Sequence, residues 1–418
     1  LIEFVSANPT GPLSVAHARQ AVVGDALANI LKFAGFNATK EYYLNDEGNQ
    51  INILTDSVAL RLRELNAEKL DYPENYYQGQ YIKDMASEIR SKNLKIDNLE
   101  DYVVGYILDI IKKELDDFGV KFDNWYSQKT LRESGKIEKT LDYLKEKGFI
   151  YVKDGASWLE STKFSDDKDR VVIKSDGSYT YLAPDIAYHR DKYERGFTHL
   201  INLWGPDHHG YIARLKAAIA ALGRDPNSLS VIIVQLSTIF RDGKSIEMST
   251  RKGQYITLRE VLDEVGLDAA RFFFLMRRTS SHLDFDLDVA KKQTSENPVY
   301  YVQYAHARIC SILRSYDGKI NYETIDLTVL KEKEEIRLIK KSLEFTSIIN
   351  ICVLTEDPYM LTVYLQELAE AFHKFYDLHR VLGQDNKLTQ ARLAVLEATK
   401  TVIACGLRLL GISQPEKM

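Results

Sequence analysis

At 418 residues, 45% of them hydrophobic, the chain is long enough for two or three cores, and only 9 prolines argue against long disordered stretches. A net charge of -5 excludes a globally basic nucleic-acid binder, so any such partner has to meet local patches. No apolar run reaches about 18 residues, which predicts no membrane span; Cys310, Cys352 and Cys405 lie apart without a C-x-x-C, which fits a reducing cytoplasm rather than zinc or disulfides.

In chain order, residues 2–7 read as an apolar strand. Residues 17–34 read as a helix on the spacing of Ala21, Val22, Ala26, Leu27, Ile30, Leu31 and Ala34, and 39–44 as a second strand. The opening strand is already under way at Leu1, without initiator methionine or signal peptide, which predicts further chain upstream. A strand–helix–strand unit of this length is expected to open a doubly wound parallel sheet, with ligands at the carboxyl ends of its strands. The loop 8–16 belongs there. Residues 51–147 carry helical periodicity, with Ile51, Leu54, Val58, Leu62 and Leu65 on one face, and read as a helical insertion. Asp-Gly pairs at 154, 176 and 242 predict hairpins. The α/β alternation then resumes with helix 185–195, strand 199–204, the loop 205–210, helix 211–222 and strand 230–236. From about residue 295 glycine is sparse and helical patterns run to 410. These readings give an α/β domain over 1–294 with a helical insertion at about 51–147, then an all-α domain over 295–418.

Three loops and two acids carry candidate chemistry. The stretch PTGPLSVAHAR, residues 9–19, leads into a helix N-terminus, whose unpaired N–H groups and partial positive charge suit a phosphate. His17 and Arg19 would assist there; otherwise His17 caps its own helix. In WGPDHHGY, residues 204–211, consecutive His208 and His209 point apart, so hydrogen bonds to a nucleotide sugar or base fit better than zinc. The run 242–253 brings Lys244, Ser249, Arg251 and Lys252 to one glycine-bounded loop, either a polyphosphate clamp or a solvated charge run. Glu3 and Asp185 are carboxylates suited to a cation such as guanidinium, although Asp185 is equally placed to cap a helix.

Together these residues resemble one family. The run EFVSANPTGPLSVAH is similar to the first signature of class I aminoacyl-tRNA synthetases in the form used by arginyl-tRNA synthetases. EYYLNDEGNQ, WGPDHHGY, MSTRKG, DAARFFFL, HLDFDLD and YVQYAHARICSILR follow in the family's order, ending in GLRLLGISQPEKM. The resemblance implies a Rossmann-type nucleotide-binding catalytic domain and a helical anticodon-binding domain. It implies arginine contacts from Glu3, Ser6, Asn8, Tyr181 and Asp185, and an ATP site lined by Pro9, Gly11, His17, Asp207, His209, Gly210 and Met248. Catalytic roles would fall to Ser14, His17, Lys244, Ser249, Arg251 and Lys252, and tRNA contacts to Tyr301, Tyr304 and Arg308. The implied reaction activates L-arginine with ATP, accompanied by Mg²⁺ and no tightly bound metal, and transfers it to tRNA(Arg) in a cytoplasmic monomer. By the same likeness, activation requires tRNA. The sequence departs from the family at Ser14 and Ala16, where the pattern is His-x-Gly-His, and at Glu247 and Thr250, where lysines flank Met-Ser. It also lacks the family's N-terminal domain. A tRNA-binding module that does not charge tRNA is the alternative, and a small-substrate nucleotidyltransferase of related fold a third reading.

Overall fold

A computed structural model describes residues 1–66, 68, 70–246 and 255–418. Among these, two compact units interleave along the chain. One comprises Leu1–Gly24, Thr39–Leu236 and the described residues up to Arg259; the other comprises Asp25–Ala38, Ser237–Ile246 and Glu260–Met418.

The first unit is built on a five-stranded parallel sheet. Across it lie Asn124–Ser127, Lys40–Leu44, Ile2–Glu3, Leu200–Trp204 and Leu229–Ile233. The chain winds outward from Ile2–Glu3 in one direction and then returns to wind outward in the other. The carboxyl ends of Ile2–Glu3 and Leu200–Trp204 therefore flank the topological switch point. Register sets Glu3 beside Glu41 on one side and Asn202 on the other. The helix Val15–Phe33 packs on the first strand through a glycine: a Cβ on Gly24 would lie 2.3 Å from the Phe4 ring, a close approach that only a missing side chain permits. Phe4 in turn meets Phe122 at 4.4 Å, and Tyr42 stacks on Trp125 at 4.4 Å, so an aromatic cluster fills the sheet's interior.

Several expected boundaries are corrected. The first strand stops at Glu3 rather than 7, because Val5 (φ 66°) and Ser6 (φ 39°) are left-handed and turn the chain out of the sheet. Residues 51–147 are not helical throughout. Helices Asn49–Leu65, Gln80–Ser91 and Leu99–Asp117 are followed by the edge strand Asn124–Ser127, then by Gln128–Glu133 and Lys136–Glu146. Four residues are too few for a period, and Trp125 and Tyr126 take opposite faces because Tyr42 and Tyr43 receive them. The loop 205–210 is a short 3₁₀ turn, Pro206–Tyr211. Asp185 lies in the fourth position of Leu182–Glu194, so it does not cap that helix. The Asp-Gly hairpins stand as expected. Asp154 and Gly155, and Asp242 and Gly243, are successive left-handed residues between antiparallel strands, the geometry of a type I′ turn.

The second unit is mostly helical, with Leu267–Leu275, Pro298–Arg314, Lys333–Leu343, Phe345–Thr355, Tyr359–Leu378 and Asn386–Leu409. Ser237–Arg241, Lys244–Ser245 and Leu283–Asp286 form a small sheet within it. Fully buried Arg271 pairs with Asp25 at 2.5 Å and donates to the Leu410 carbonyl at 2.8 Å. Gln303 and His306 donate to the Ser413 and Pro415 carbonyls, which fastens the C-terminal residues to Pro298–Arg314. No described helix is long and apolar enough to cross a membrane.

The contact between Gly24 and Phe4 yields a stability expectation. Gly24→Ala should lower the unfolding midpoint in a denaturant titration, by about 1–3 kcal/mol of overpacking, although alanine favours a helix over glycine.

Candidate active site

The first strand ends in a tight turn. Ser6 N–H donates to the Phe4 carbonyl at 2.9 Å across Val5, a β-branched residue at positive φ, which is a costly conformation. Surrounding bonds hold it in place. The Ser6 hydroxyl donates to Glu3 Oε1 at 3.2 Å and accepts the Tyr43 N–H at 3.1 Å, while buried Tyr42 donates to the Ala7 carbonyl at 2.9 Å.

The following loop, through Asn8, Pro9 and Gly11, is gripped by the crossover helices. Tyr81 Oη donates to the Thr10 carbonyl at 2.7 Å and stands where a Cβ on Gly11 would be, 3.0 Å away. Glu114 accepts the Leu13 N–H at 3.0 Å, and burial pushes its carboxyl up to about 7. Tyr255 donates to the Pro12 carbonyl at 3.3 Å, and Leu258 N–H to the Leu13 carbonyl at 2.8 Å. Asn8 donates to Gln50 at 2.7 Å.

At the helix start, Ser14 N–H lies 3.2 Å from His17 Nδ1, and the Ser14 hydroxyl is also 3.2 Å away. A backbone N–H can only donate, so Nδ1 is the acceptor and the ring proton sits on Nε2. Burial lowers the His17 pKa to about 4, which keeps the imidazole neutral. His17 thus does both things expected of it as alternatives: Nδ1 caps its own helix, and Nε2–H remains a neutral donor. Ser14 turns toward His17. Arg19 is buried and donates to the Gln235 carbonyl at 2.8 Å, so it is a structural cation and not the phosphate ligand it was expected to be.

Across the switch point, the helix Leu182–Glu194 presents Asp185, His189 and Lys192, spaced i, i+4, i+7 along one face. Tyr211 donates to Asp185 Oδ2 at 2.6 Å. Burial raises the Asp185 carboxyl to about 6. Among the described residues it has no cationic partner. Glu3, expected to share the substrate's charge, is already paired: Lys192 Nζ lies 2.5 Å from Glu3 Oε2. Tyr181 stands 83% exposed at the start of the same helix. The side chains of Asp207, His208 and His209 are exposed on the 3₁₀ turn beside Gly210.

These groups stand around the carboxyl ends of a doubly wound parallel sheet. The chain matches the family described as tRNA synthetases class I (R), catalytic domain, over residues 1–282, and DALR anticodon binding domain over 302–418. An arginine–tRNA ligase from Anoxybacillus flavithermus is 50% identical over 100% of this chain and 77% of its own length. One from Citrifermentans bemidjiense is 48% identical over 100% and 78%. The chain belongs to the arginyl-tRNA synthetases. The solved arginyl-tRNA synthetase of Thermus thermophilus, 21% identical, shares its fold with a TM-score of 0.82 over 100% of this chain and 82% of that one.

Of the residues expected to serve an arginyl-tRNA synthetase, the first unit brings Glu3 to Ser6 and Ser14 to His17, and sets Asp185 against Tyr211, which was not among them. Met248, Ser249, Arg251 and Lys252, with the departures at Glu247 and Thr250, lie outside the described residues. Lys244 is exposed on its hairpin in the second unit. There Tyr304 stacks near Tyr300 and His373, Tyr301 meets His373 at 4.5 Å, and Arg308 lies over Tyr304 and Tyr376 at 4.9 and 4.6 Å. Sequence reading missed Lys192, Tyr211, Tyr81 and Glu114. The i, i+4, i+7 spacing of Asp185, His189 and Lys192 was the one available signal, and it points to Lys192.

The raised Asp185 carboxyl has a stability consequence. Its folded pKa of about 6 exceeds the ordinary 3.8, so stability falls as pH rises from about 4 to 6 and the loss is complete above that. Asp185→Asn should therefore raise the unfolding midpoint at pH 7, by at most about 3 kcal/mol, with the gain vanishing as pH falls toward 4. A helix cap would give the opposite sign.

Proposed function

We propose that the switch-point crevice of this arginine–tRNA ligase binds arginine through Asp185 and ATP through the loop ahead of Val15–Phe33. The observation that carries the reading is Asp185 itself, a desolvated carboxylate without a cation beside the described loops. Such a group is costly until a cation arrives, and guanidinium offers a fork of donors suited to it. Tyr211 fixes one oxygen, and Tyr181 closes on the side chain from the helix start. Glu3, Ser6 and Asn8 shape the pocket from the strained turn.

ATP lies along the opening loop, its phosphates toward the helix N-terminus and His17 Nε2–H, with Pro9 and Gly11 beneath. Asp207, His209 and Gly210 meet its ribose and base. Mg²⁺ travels on the phosphates, as suits an ion that keeps much of its water and needs no dedicated protein cage. The arginine carboxylate attacks the α-phosphorus in line and pyrophosphate leaves; the 2′-hydroxyl of the terminal tRNA adenosine then attacks the adenylate carbonyl and AMP leaves. No covalent enzyme intermediate is needed, because orientation and charge stabilisation lower both barriers. Ser249, Arg251 and Lys252, with Met248, attend the phosphates. Tyr301, Tyr304 and Arg308 offer stacking and a cation to tRNA(Arg). In this assignment residues 1–294 are catalytic, 295–418 bind the anticodon, and the enzyme works as a cytoplasmic monomer.

Arginine-dependent ATP–pyrophosphate exchange with tRNA(Arg) present tests the pocket. Asp185→Asn should raise the arginine KM by the equivalent of roughly 3–5 kcal/mol while the ATP KM stays put. In the parent, arginine affinity should be full at pH 8 and fall as pH drops through about 6, where Asp185 takes up its proton. An unchanged arginine KM in the variant refutes the assignment.

His17→Ala should lower kcat by about 10²–10³, as loss of one preorganised donor does. Because the parent imidazole is neutral, no limb of the pH–kcat profile between about pH 5 and 8 should disappear with it. Unchanged exchange removes His17 from the chemistry.

A further inference from the structure

We propose that Lys192 is a specificity-determining positioning residue that neutralises Glu3 and orients Asp185, leaving the amino-acid pocket one uncompensated negative charge matched to a monocation. The proposal rests on the assignment of Asp185 to guanidinium.

Lys192 is completely buried, with its ammonium 2.5 Å from Glu3 Oε2, 3.3 Å from Asn202 Oδ1 and 4.1 Å from the Tyr188 ring centre. An ammonium can only donate, and that single fact sets the direction of a chain of bonds. Asn202 must present its oxygen to Lys192, so its amide nitrogen faces His189 Nε2 at 2.9 Å and donates to it. His189 Nδ1 then carries the proton and donates to the backbone carbonyl of Asp185 at 2.8 Å. Burial, assisted by Lys192, holds the His189 pKa well below its ordinary value, so that ring remains a neutral relay. Lys192 thus sets the hydrogen-bond polarity of the turn that carries the substrate carboxylate.

The charge count points the same way. Glu41 is held by both terminal nitrogens of Arg195, at 2.6 and 2.9 Å, and Asp191 by Arg195 and Lys136. Glu3 is held by Lys192. Asp185 faces Tyr211 from the 3₁₀ turn, Tyr43 from the second strand, Glu3 from the first, and His189 and Lys192 from its own helix. Of its charged neighbours, only the Glu3–Lys192 pair balances internally next to it. Removing the cation from that pair would set a second carboxylate against Asp185, and like charges push a carboxyl upward.

The test measures arginine KM and ATP KM by tRNA-supported pyrophosphate exchange in the full chain across about pH 5.5–9. Lys192→Met should move the acid limb of kcat/KM for arginine upward by about one pH unit or more, with the ATP KM changed less than about twofold. Glu3→Gln alone exposes the ammonium and should move the limb downward while raising the arginine KM. Combining Lys192→Met with Glu3→Gln keeps the net charge of the pocket and should return the limb to its parental position. A merely structural lysine would lower the unfolding midpoint without opposite shifts in the two single variants, and a limb fixed in both overturns the proposal. Should Lys192→Met not fold, the downward shift in Glu3→Gln and its reversal in the double variant decide alone. If Asp185→Asn leaves arginine KM unchanged, the pocket assignment fails; if it raises KM while both limbs stay fixed, only the role of Lys192 does.

Discussion

Taking an ion out of water costs several kcal/mol unless a partner is held against it, and the centre of the parallel sheet withdraws Glu3, Glu41 and Asp191 almost wholly from solvent. Their partners come from one short stretch. Lys192 and Arg195 reach the carboxylates of the first and second strands from the end of Leu182–Glu194, and Lys136 adds a contact from the helix before. These pairs work only in one register, since a strand shifted by one residue would turn Glu3 and Glu41 to the wrong face. The seat of the helix on the sheet and the surroundings of Asp185 are tied to this one charge arrangement.

The same arrangement explains how a strained turn survives. Val5 and Ser6 adopt left-handed geometry that an isolated chain would abandon. Glu3, fixed by Lys192, accepts the Ser6 hydroxyl, and the second strand supplies Tyr43 N–H and Tyr42 Oη. The turn releases the chain from the sheet two residues past Glu3, so the loop begins directly above the strand ends where a ligand belongs.

Most of the architecture was legible in the sequence because it rests on local signals. The spacing of Ala21 to Ala34, the Asp-Gly pairs and the alternation of strand and helix each act within a few residues. What escaped depends on distant partners. Asn124–Ser127 is a strand because Tyr42 and Tyr43 receive its aromatics, and the first strand is short because residues around 42 stabilise its exit. The site divides likewise. Glu3 and Asp185 could be picked out as acids, but that Lys192 pairs with one while, among the described residues, the other meets Tyr211 and no ion-pair partner is decided by packing. His17 invited a choice between cap and phosphate donor; its two nitrogens make the choice unnecessary, which no one-dimensional pattern conveys.

The grip on the opening loop carries a consequence in time. Thr10, Pro12 and Leu13 are synthesised well before Tyr81, Glu114, Tyr255 and Leu258, which hold their backbone. A growing chain therefore exposes this loop long before its clasp exists, and contacts spanning up to 245 residues form slowly because loop closure must precede them. Until then the segment lacks its final shape. The ordering of this loop is therefore a late event of folding, after ribosomal synthesis has carried the sequence past residue 258.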